Sequence, residues 1–229
     1  MSKKVLIVED EFSIQRILQY DLMQSGFSVD LASDGEEGLQ KALSNEYDVI
    51  LLDVMLPKRD GFSVCKELRA RSISTYIVIL SAKDDELDRV SGLDYGADDY
   101  MTKPFSSREV VSKVKAIIRR KEVLSNKRAK PYLGLGKLKL DSSRFEVHVE
   151  DKLIDFTLKE YELLEFLVRH KGQALSRDIL LDQLWGFEYD GDTRIVDVHI
   201  FKIREKLKQY GIKIKTIRGV GYMLEDEPV

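Results

Sequence analysis

The feature that most constrains this chain of 229 residues is an alternation of a short apolar run with an amphipathic stretch of helical length, repeated before residue 121. Such runs are typical of strands buried on both faces, and the stretches between them are typical of helices that cover a sheet. The pattern predicts an α/β domain with a five-stranded, parallel, doubly wound sheet. The predicted strands are Val5–Val8, Ser28–Ala32, Val49–Leu52, Ile77–Leu80 and Tyr100–Thr102, and the predicted helices are Phe12–Gln24, Gly35–Leu43, Gly61–Arg69, Asp85–Asp94 and Ser106–Arg119.

The composition changes after residue 121. Residues 122–131 are polar and basic, with little apolar periodicity, which predicts a linker that keeps some helix at its start. We therefore expect a first domain at 1–121, the linker at 122–131, and a second domain at 132–229.

The second domain begins with short β-like pieces at 137–140, 144–149 and 153–156, and three helices follow them. Thr157 and Glu160 have the spacing of a capping box, and Ser176 is placed to cap a second helix that ends at Leu184. A third helix at 193–209 precedes a hairpin that contains glycines. Three helices and a hairpin are the order of a winged helix-turn-helix domain.

The composition excludes several classes of protein. A chain that is 43% apolar and 34% charged is typical of globular proteins and not of disordered or membrane-embedded ones. The first apolar run is followed by acids where a signal peptide needs a longer apolar core, so we expect a cytoplasmic protein. Because Cys65 is the single cysteine, an internal disulfide and a cysteine-based zinc site are excluded.

Charge is distributed unevenly along the chain. Residues 1–121 carry 18 Lys and Arg against 21 Asp and Glu, whereas Thr193 to Tyr222 carry eight basic residues against two acidic ones. Such a basic stretch predicts a surface for a polyanion near the C-terminus.

Polar residues follow the predicted strands of the first domain. Glu9 and Asp10, Asp53, Ser81 and Lys103 all stand at strand ends, which meet at one edge of a parallel sheet. Carboxylates this close together attract a hard cation, and Mg²⁺ prefers oxygen ligands. With the metal in place, Asp53 would be a nucleophile for a phosphoryl group, whose oxygens Lys103 and Ser81 would bind.

A simpler interpretation exists for each of these residues alone. An Asp after a buried strand is often only a loop or helix cap, and Glu9 and Asp10 could cap the helix that begins near Phe12 in the same way. We prefer the functional interpretation because the required groups occur together at strand ends. The Lys103–Pro104 junction supports it, since a proline there restricts the backbone and could admit a cis bond.

These residues lie in motifs that resemble the receiver domain of two-component response regulators. The matching segments are Val-Glu-Asp at 8–10, Leu-Leu-Asp-Val-Met-Leu-Pro at 51–57, Leu-Ser-Ala-Lys at 80–83 and Gly-Ala-Asp-Asp-Tyr-Met-Thr-Lys-Pro-Phe at 96–105. The resemblance implies a flavodoxin-like sheet and phosphorylation of Asp53 by a sensor histidine kinase. It also implies that Mg²⁺ is held by Asp10, Asp53 and the Met55 carbonyl, with Glu9 acting through water.

The same resemblance implies a switch between the phosphorylated pocket and a distant surface. Ser81 would move its hydroxyl onto the phosphoryl group, and the ring of Tyr100 would turn inward. Ser81 stands where the family more often has threonine, and it keeps the hydroxyl.

The third helix of the second domain has two contrasting faces. Val196, Ile200, Ile203 and Leu207 repeat at helical spacing and form the predicted buried stripe. The opposite face carries Arg194, Val198, Phe201, Lys202 and Glu205, flanked by Ile195, His199, Lys206 and Lys208. In a major groove, apolar side chains can contact thymine methyl groups while basic ones reach bases and phosphates, so we predict a DNA-recognition helix. The alternative is an exposed basic helix without a ligand.

The second domain resembles the winged-helix effector domains of the OmpR/PhoB subfamily. The matching segments are Thr-Leu-Lys-Glu-Tyr-Glu-Leu-Leu at 157–164, Ser-Arg-Asp-Ile-Leu-Leu-Asp-Gln-Leu-Trp-Gly at 176–186, Arg-Ile-Val-Asp-Val-His-Ile-Phe-Lys-Ile-Arg at 194–204 and Thr-Ile-Arg-Gly-Val-Gly-Tyr at 216–222. This likeness implies DNA contacts by Arg194, His199, Lys202 and Arg204, with Arg218 of the wing in the minor groove. Ile195 and Phe201 depart from the polar or basic residues common there.

Three further implications come from this subfamily. Asp197 is expected to be structural. The loop Trp185–Asp192 corresponds to the contact region for RNA polymerase, although it could also be a turn anchored by a half-buried Trp185. Reciprocal pairs across a receiver homodimer would join Arg89 to Glu109, Asp94 to Lys115 and Asp99 to Lys113. An ordinary solvated face of mixed charge is the alternative.

The sequence thus predicts a phosphorylation-activated transcription factor that binds double-stranded DNA. The resemblance to the subfamily implies that its dimer occupies tandem half-sites. One competing hypothesis is a phosphatase with an aspartate nucleophile, but such enzymes usually place a second Asp where Met55 stands. Another is a constitutive DNA-binding protein with a degenerate receiver, which the complete pocket does not support.

Overall fold

The structure of the chain is a computed structural model that describes residues 2–82, 95–126, 132–186 and 193–225. The chain forms two compact units, 1–122 and 123–229, which are described in turn. The predicted helix Asp85–Asp94 lies outside the described residues. In the part of the chain that is described, no helix is long and apolar enough to cross a membrane.

The first unit is the predicted five-stranded parallel sheet with helices, in the order β2-β1-β3-β4-β5. Its strands are β1 (Lys4–Val8), β2 (Ser28–Ala32), β3 (Val49–Asp53), β4 (Tyr76–Ala82) and β5 (Asp99–Lys103). Its described helices are α1 (Phe12–Gln24), α2 (Gly35–Ser44), α3 (Gly61–Ala70) and α4 (Ser107–Asn126). Helix α4 continues beyond the predicted end at Arg119 and into the segment expected to be a linker.

Burial explains why the short apolar runs become strands. All side chains of Val5–Val8 are buried, and so are those of β3, because both strands lie inside the sheet and helices cover them. Asp34 and Asp60 begin α2 and α3 by accepting hydrogen bonds from the Glu37 and Ser63 backbone N–H groups, each at 2.9 Å. The ends of β1, β3 and β5 bring Glu9, Asp53 and Lys103 to the carboxyl edge of the sheet.

The second unit has the predicted winged-helix organisation. Its first strands, β6 (Tyr132–Leu135), β7 (Leu138–Asp141), β8 (Glu146–Val149) and β9 (Lys152–Ile154), form an antiparallel sheet in chain order. Helices α5 (Leu158–Arg169), α6 (Arg177–Leu184) and α7 (Arg194–Leu207) follow, and a 3₁₀ turn (Lys208–Tyr210) ends at Gly211. A second sheet joins β10 (Leu175–Ser176), β12 (Gly221–Leu224) and β11 (Ile214–Ile217) in that spatial order.

The predicted caps of the second unit are present. The Thr157 hydroxyl accepts from the Glu160 backbone N–H at 3.4 Å, and the Glu160 carboxylate accepts from the Thr157 N–H at 2.9 Å, which completes the capping box. The Ser176 hydroxyl accepts from the Ile179 N–H at 3.1 Å. Strands β6 and β10 were not predicted.

Candidate functional sites

Lys103 connects two carboxylates at the carboxyl edge of the parallel sheet. Its Nζ lies 2.8 Å from Oε2 of Glu9 and 2.8 Å from Oδ2 of Asp53. These residues come from the ends of three strands, because Glu9 follows β1, Asp53 ends β3 and Lys103 ends β5. Glu9 is 1% exposed and Asp53 is 5% exposed, so both carboxylates are largely shielded from water. Three of the five residues that the sequence placed at strand ends are therefore in contact.

Glu9, Asp10 and Asp53 form a cluster of oxygen ligands. One oxygen from each carboxylate lies within 4.8 Å of the others, and Asp10 is the exposed member. The Met55 backbone N–H donates to Oδ1 of Asp53 at 3.4 Å, which brings the Met55 peptide beside this cluster. Hard oxygen donors with one side open to solvent fit Mg²⁺, which keeps several of its waters.

Burial has opposite effects on the acid and the base of this pocket. The pKa of Glu9 is raised to about 7, because burial and, to a smaller extent, the nearby Asp53 together outweigh the hydrogen bond from Lys103. Burial lowers the pKa of Lys103, but its hydrogen bonds to Asp53 and Glu9 outweigh burial and hold that pKa above its usual value. One ammonium faces three carboxylates, so the pocket has an excess of negative charge that a divalent cation would balance.

The two predicted switch residues lie inside the first unit. Asp53 is paired with Leu80 in the sheet register, so Ser81 stands one residue beyond that pair and is buried. Tyr100 lies on β5 opposite Ile79, and its ring is also buried. The Lys103–Pro104 peptide is cis, as the sequence allowed.

The predicted dimer face contains an ion pair within one chain. Lys113 Nζ lies 2.8 Å from Oδ2 of Asp99, which is buried and also accepts from the Tyr76 hydroxyl at 3.4 Å. Glu109 and Lys115 are exposed on α4. Arg89 and Asp94, their predicted partners, lie outside the described residues.

Helix α7 packs in the second unit by the predicted stripe. Val196, Ile200, Ile203 and Leu207 are all fully buried. Arg194 and Phe201 are exposed on the opposite side, and Lys202 is half-buried. Arg218 is exposed at the tip of the hairpin between β11 and β12. These four residues are thus placed where a ligand of the helix and wing could reach them.

The structure corrects the expectation for His199 and Val198. His199 is 1% exposed: its Nδ1 lies 2.9 Å from the Ile195 carbonyl, and its ring packs edge-on against Trp185 with centroids 5.2 Å apart. Val198 is buried as well. Helical spacing put both residues near the outer face, but neighbouring elements cover them, so neither presents a surface to DNA here.

Arg204 contacts the hairpin of its own unit. Its Nε and Nη2 donate to the Ile214 carbonyl at 2.8 and 2.6 Å, and Nη2 also donates to the Thr216 hydroxyl at 2.8 Å. Its guanidinium lies 5.3 Å from the centre of the Tyr222 ring. Arg204 therefore holds α7 to the hairpin, a role that the sequence did not predict.

Family comparisons agree with both units. The model of the response regulator receiver domain matches residues 5–115, and that of the transcriptional regulatory protein C-terminal domain matches residues 151–224. The alkaline phosphatase synthesis transcriptional regulatory protein PhoP of Bacillus subtilis is 50% identical over 235 residues, which cover 99% of this chain and 98% of PhoP. The response regulator ArlR of Staphylococcus aureus is 40% identical over 223 residues, which cover 96% of this chain and 99% of ArlR.

The chain belongs to the OmpR/PhoB family of response regulators. Solved structures agree: a mutant of RitR matches with a TM-score of 0.78 at 30% identity, covering 98% of this chain and 100% of that one. DrrB of Thermotoga maritima, an OmpR/PhoB homologue, matches with a TM-score of 0.52 at 31% identity, covering 98% of this chain and 100% of DrrB. This response regulator therefore controls transcription through DNA binding in a phosphorylation-dependent way and has a histidine kinase as its partner.

Gly61 is a pocket residue of this response regulator that sequence reasoning missed. A Cβ at Gly61 would lie 2.0 Å from the Asp53 carbonyl oxygen, and the Gly61 N–H donates to the Val54 carbonyl at 2.9 Å. The loop after β3 therefore returns against the strand end that carries Asp53. The signal available in the sequence was the Asp60–Gly61 pair, where a helix cap precedes a residue without a side chain.

A hydrogen-bonded triad joins three elements of the DNA-binding domain of this regulator. Oδ1 of Asp197 on α7 accepts from the Tyr222 hydroxyl of β12 and from Nε of Arg177 on α6, each at 2.7 Å. Arg177 Nη2 also donates to the Tyr222 hydroxyl at 3.1 Å. The prediction that Asp197 is structural agrees with these contacts, whereas Arg177 and Tyr222 were not singled out.

Proposed function

We propose that Asp53 is the phosphoacceptor of this response regulator and that its modification promotes receiver dimerisation and binding to tandem DNA half-sites. The observation that carries the proposal is the ammonium of Lys103, 2.8 Å from both Asp53 and Glu9. An ammonium in this position neutralises a nucleophilic carboxylate before the reaction and a phosphoryl oxygen after it.

The transfer is a displacement at phosphorus. A carboxylate oxygen of Asp53 attacks the phosphoryl group on a histidine of the kinase, a P–O bond forms, the P–N bond breaks, and the histidine leaves with the electron pair. Lys103 binds one oxygen of the transferred group and the Ser81 hydroxyl donates to another. Asp10, Asp53 and the Met55 carbonyl would hold Mg²⁺, with Glu9 acting through water, and the ion would supply positive charge against the phosphoryl oxygens.

An apolar surface beside the pocket supports binding of a kinase. Helix α1 begins two residues after Asp10 and exposes a row of large side chains along its outer side: Phe12, Ile17, Tyr20 and Met23. Clustered apolar side chains on a surface are typical of protein interaction sites. We place the kinase on this face of α1, with its phosphohistidine directed at Asp53.

Dimerisation after phosphorylation depends on the face formed by β5 and α4. In our proposal, movement of Ser81 and Tyr100 after phosphorylation alters this face and allows two receivers to associate about a two-fold axis. The reciprocal pairs would be Arg89 with Glu109, Asp94 with Lys115, and Asp99 with Lys113. The pair between Lys113 and Asp99 within one chain would then open and re-form between chains.

The DNA contacts follow from the exposure of each predicted residue. We place Arg194, Phe201 and Lys202 in the major groove and Arg218 of the wing in the minor groove. We assign His199, Val198 and Arg204 a structural role instead, because they face other elements of their own domain. Two linked domains on adjacent half-sites gain affinity through effective concentration, so pocket and recognition helix need no direct contact. The loop Trp185–Asp192 remains our proposed contact for RNA polymerase, and only its first two residues are described.

Intact-mass measurement tests the phosphoacceptor directly. Wild type and Asp53→Ala are incubated with Mg²⁺ and acetyl phosphate, and we expect one added phosphoryl group on wild type only. Sedimentation of the same samples should then show a dimer only where the group was added. Phosphorylation of Asp53→Ala to the wild-type extent would contradict the assignment, and continuous release of phosphate at many turnovers per minute would favour the competing phosphatase.

A further inference from the structure

Phe201 is a large apolar side chain on the outer side of the recognition helix α7. It is 61% exposed, whereas the isoleucines and the leucine of the same helix are all buried. It lies seven residues after Arg194, which puts both on the same face of the helix. Most of this phenyl ring is therefore open to a ligand that binds the outer face of the helix.

The contacts around α7 keep this ring directed outward. Asp197 is bound by Arg177 and Tyr222, and Arg204 is bound to the Ile214 carbonyl. These bonds hold the helix in one rotation within its own unit, since turning it would break them and expose its buried stripe. Phe201 therefore stays on the side of α7 that faces away from the core of that unit.

The charge around Phe201 indicates which ligand this is. Between Thr193 and Tyr222 the chain has eight basic residues and two acidic ones, and Arg194 and Arg218 are exposed. An apolar protein surface has no negative charge to neutralise these cations. Duplex DNA, in contrast, has phosphates on both sides of its major groove. The ring is thus an apolar contact inside a basic surface that fits nucleic acid.

The chemistry of the ring indicates which group of the DNA it contacts. A phenyl group has no hydrogen-bond donor or acceptor, and the apolar group on the base edges of the major groove is the C5 methyl of thymine. We propose that Phe201 reads thymine methyl groups and is a determinant of base preference in this regulator. This inference rests on the proposed placement of α7 in the major groove.

The test compares thymine with deoxyuridine, which lacks only the methyl group. The phosphorylated full chain selects a duplex from a random-sequence pool, and that duplex is remade with deoxyuridine at one thymine at a time. We expect at least one thymine in each half-site where the change weakens wild-type binding about fourfold, the value for one buried methyl. In Phe201→Ala, the thymine and deoxyuridine duplexes should bind equally.

Two control variants separate this contact from general loss of binding. Lys202→Ala should weaken binding to both duplexes by the same factor and keep their ratio. Leu153→Ala removes another large apolar side chain that is 61% exposed, on β9, and should leave affinity and ratio unchanged. Because Phe201 is exposed, the unfolding temperature of Phe201→Ala should match that of wild type.

Each remaining outcome overturns the inference. Wild-type binding that changes less than twofold with deoxyuridine at every position would do so, as would selected half-sites without thymine. A deoxyuridine effect of the same size in Phe201→Ala would assign methyl recognition to another residue. Loss of self-association in Phe201→Ala by sedimentation would show that the ring contacts a second copy. If wild type selected no duplex at all, the proposed function would fail first.

Discussion

Lys103 and Asp53 are joined by a hydrogen bond of 2.8 Å across two strand ends that lie fifty residues apart in the chain. The same ammonium donates to Glu9 at 2.8 Å, so one cation is bonded to two shielded carboxylates. Charge-assisted hydrogen bonds of this kind are stronger than neutral ones, and loss of the ammonium would remove the positive charge that compensates both carboxylates. Lys103 therefore contributes to the stability of this pocket, and in the proposed function it also binds the phosphoryl group.

Replacing Lys103 with Gln should slow phosphorylation more than it disturbs the fold. The neutral amide cannot stabilise the phosphoryl oxygens as an ammonium does, and we expect a rate lower by about 10- to 100-fold. The measurement is the time course of intact mass with acetyl phosphate and Mg²⁺. Lys113→Gln removes a lysine from the β5 and α4 face and is the control, since it should keep the rate within about twofold of wild type. A wild-type rate for Lys103→Gln would remove Lys103 from the chemistry.

Glu9 should make the stability of the first domain depend on pH. The pKa of Glu9 rises from its ordinary 4.5 to about 7 on folding, so the folded state holds the proton more tightly. This contribution is fully present below pH 4.5 and is lost as the pH rises through 7. In EDTA at pH 8, the unfolding temperature of Glu9→Gln should therefore be several degrees higher than that of wild type. At pH 5 the two unfolding temperatures should be nearly equal.

The matched measurement for Glu9 is differential scanning calorimetry at both pH values with and without Mg²⁺. Added Mg²⁺ at pH 8 should raise the unfolding temperature of wild type, because a cation compensates the ionised carboxylates. Parallel curves for wild type and Glu9→Gln across this pH range would contradict the assignment.

Gly61→Ala should disturb the pocket through a backbone contact. The new methyl would lie 2.0 Å from the Asp53 carbonyl oxygen, so the strand end or the helix start must move. We expect a loss of roughly 1–3 kcal/mol in unfolding free energy and slower phosphorylation. Urea unfolding and intact mass measure the two effects. Gly134→Ala is the control, because its new methyl meets the Leu138 carbonyl oxygen at an ordinary 3.5 Å.

Tyr222→Phe should weaken DNA binding although Tyr222 is placed behind the recognition helix. The change removes the hydroxyl that donates to Asp197 at 2.7 Å and accepts from Arg177 at 3.1 Å. We expect a loss of about 1–2 kcal/mol in unfolding free energy and a several-fold rise in Kd for the selected duplex, with the ratio for deoxyuridine preserved. Tyr210→Phe, in the 3₁₀ turn, should show neither effect. Wild-type stability in Tyr222→Phe would show that the triad contributes little.

The sequence by itself determined the elements whose cause is local. Two-sided burial leaves a direct mark in Val5–Val8 and Val49–Leu52, and the Thr157–Glu160 box needs only residues three apart. The pocket was predictable for a related reason, since parallel strands place their carboxyl ends at one edge. Glu9, Asp53 and Lys103 could therefore be grouped before any distance was known.

Tertiary structure decided what depends on neighbours distant in the chain. The two-residue strand β10 exists because Leu175 pairs with Tyr222, and no local pattern marks so short a strand. His199 is buried because Trp185 packs on it, although helical spacing placed it at the edge of the outer face. A period of 3.6 residues sorts the faces of a helix, but only the elements packed beside that helix determine how wide its covered side becomes.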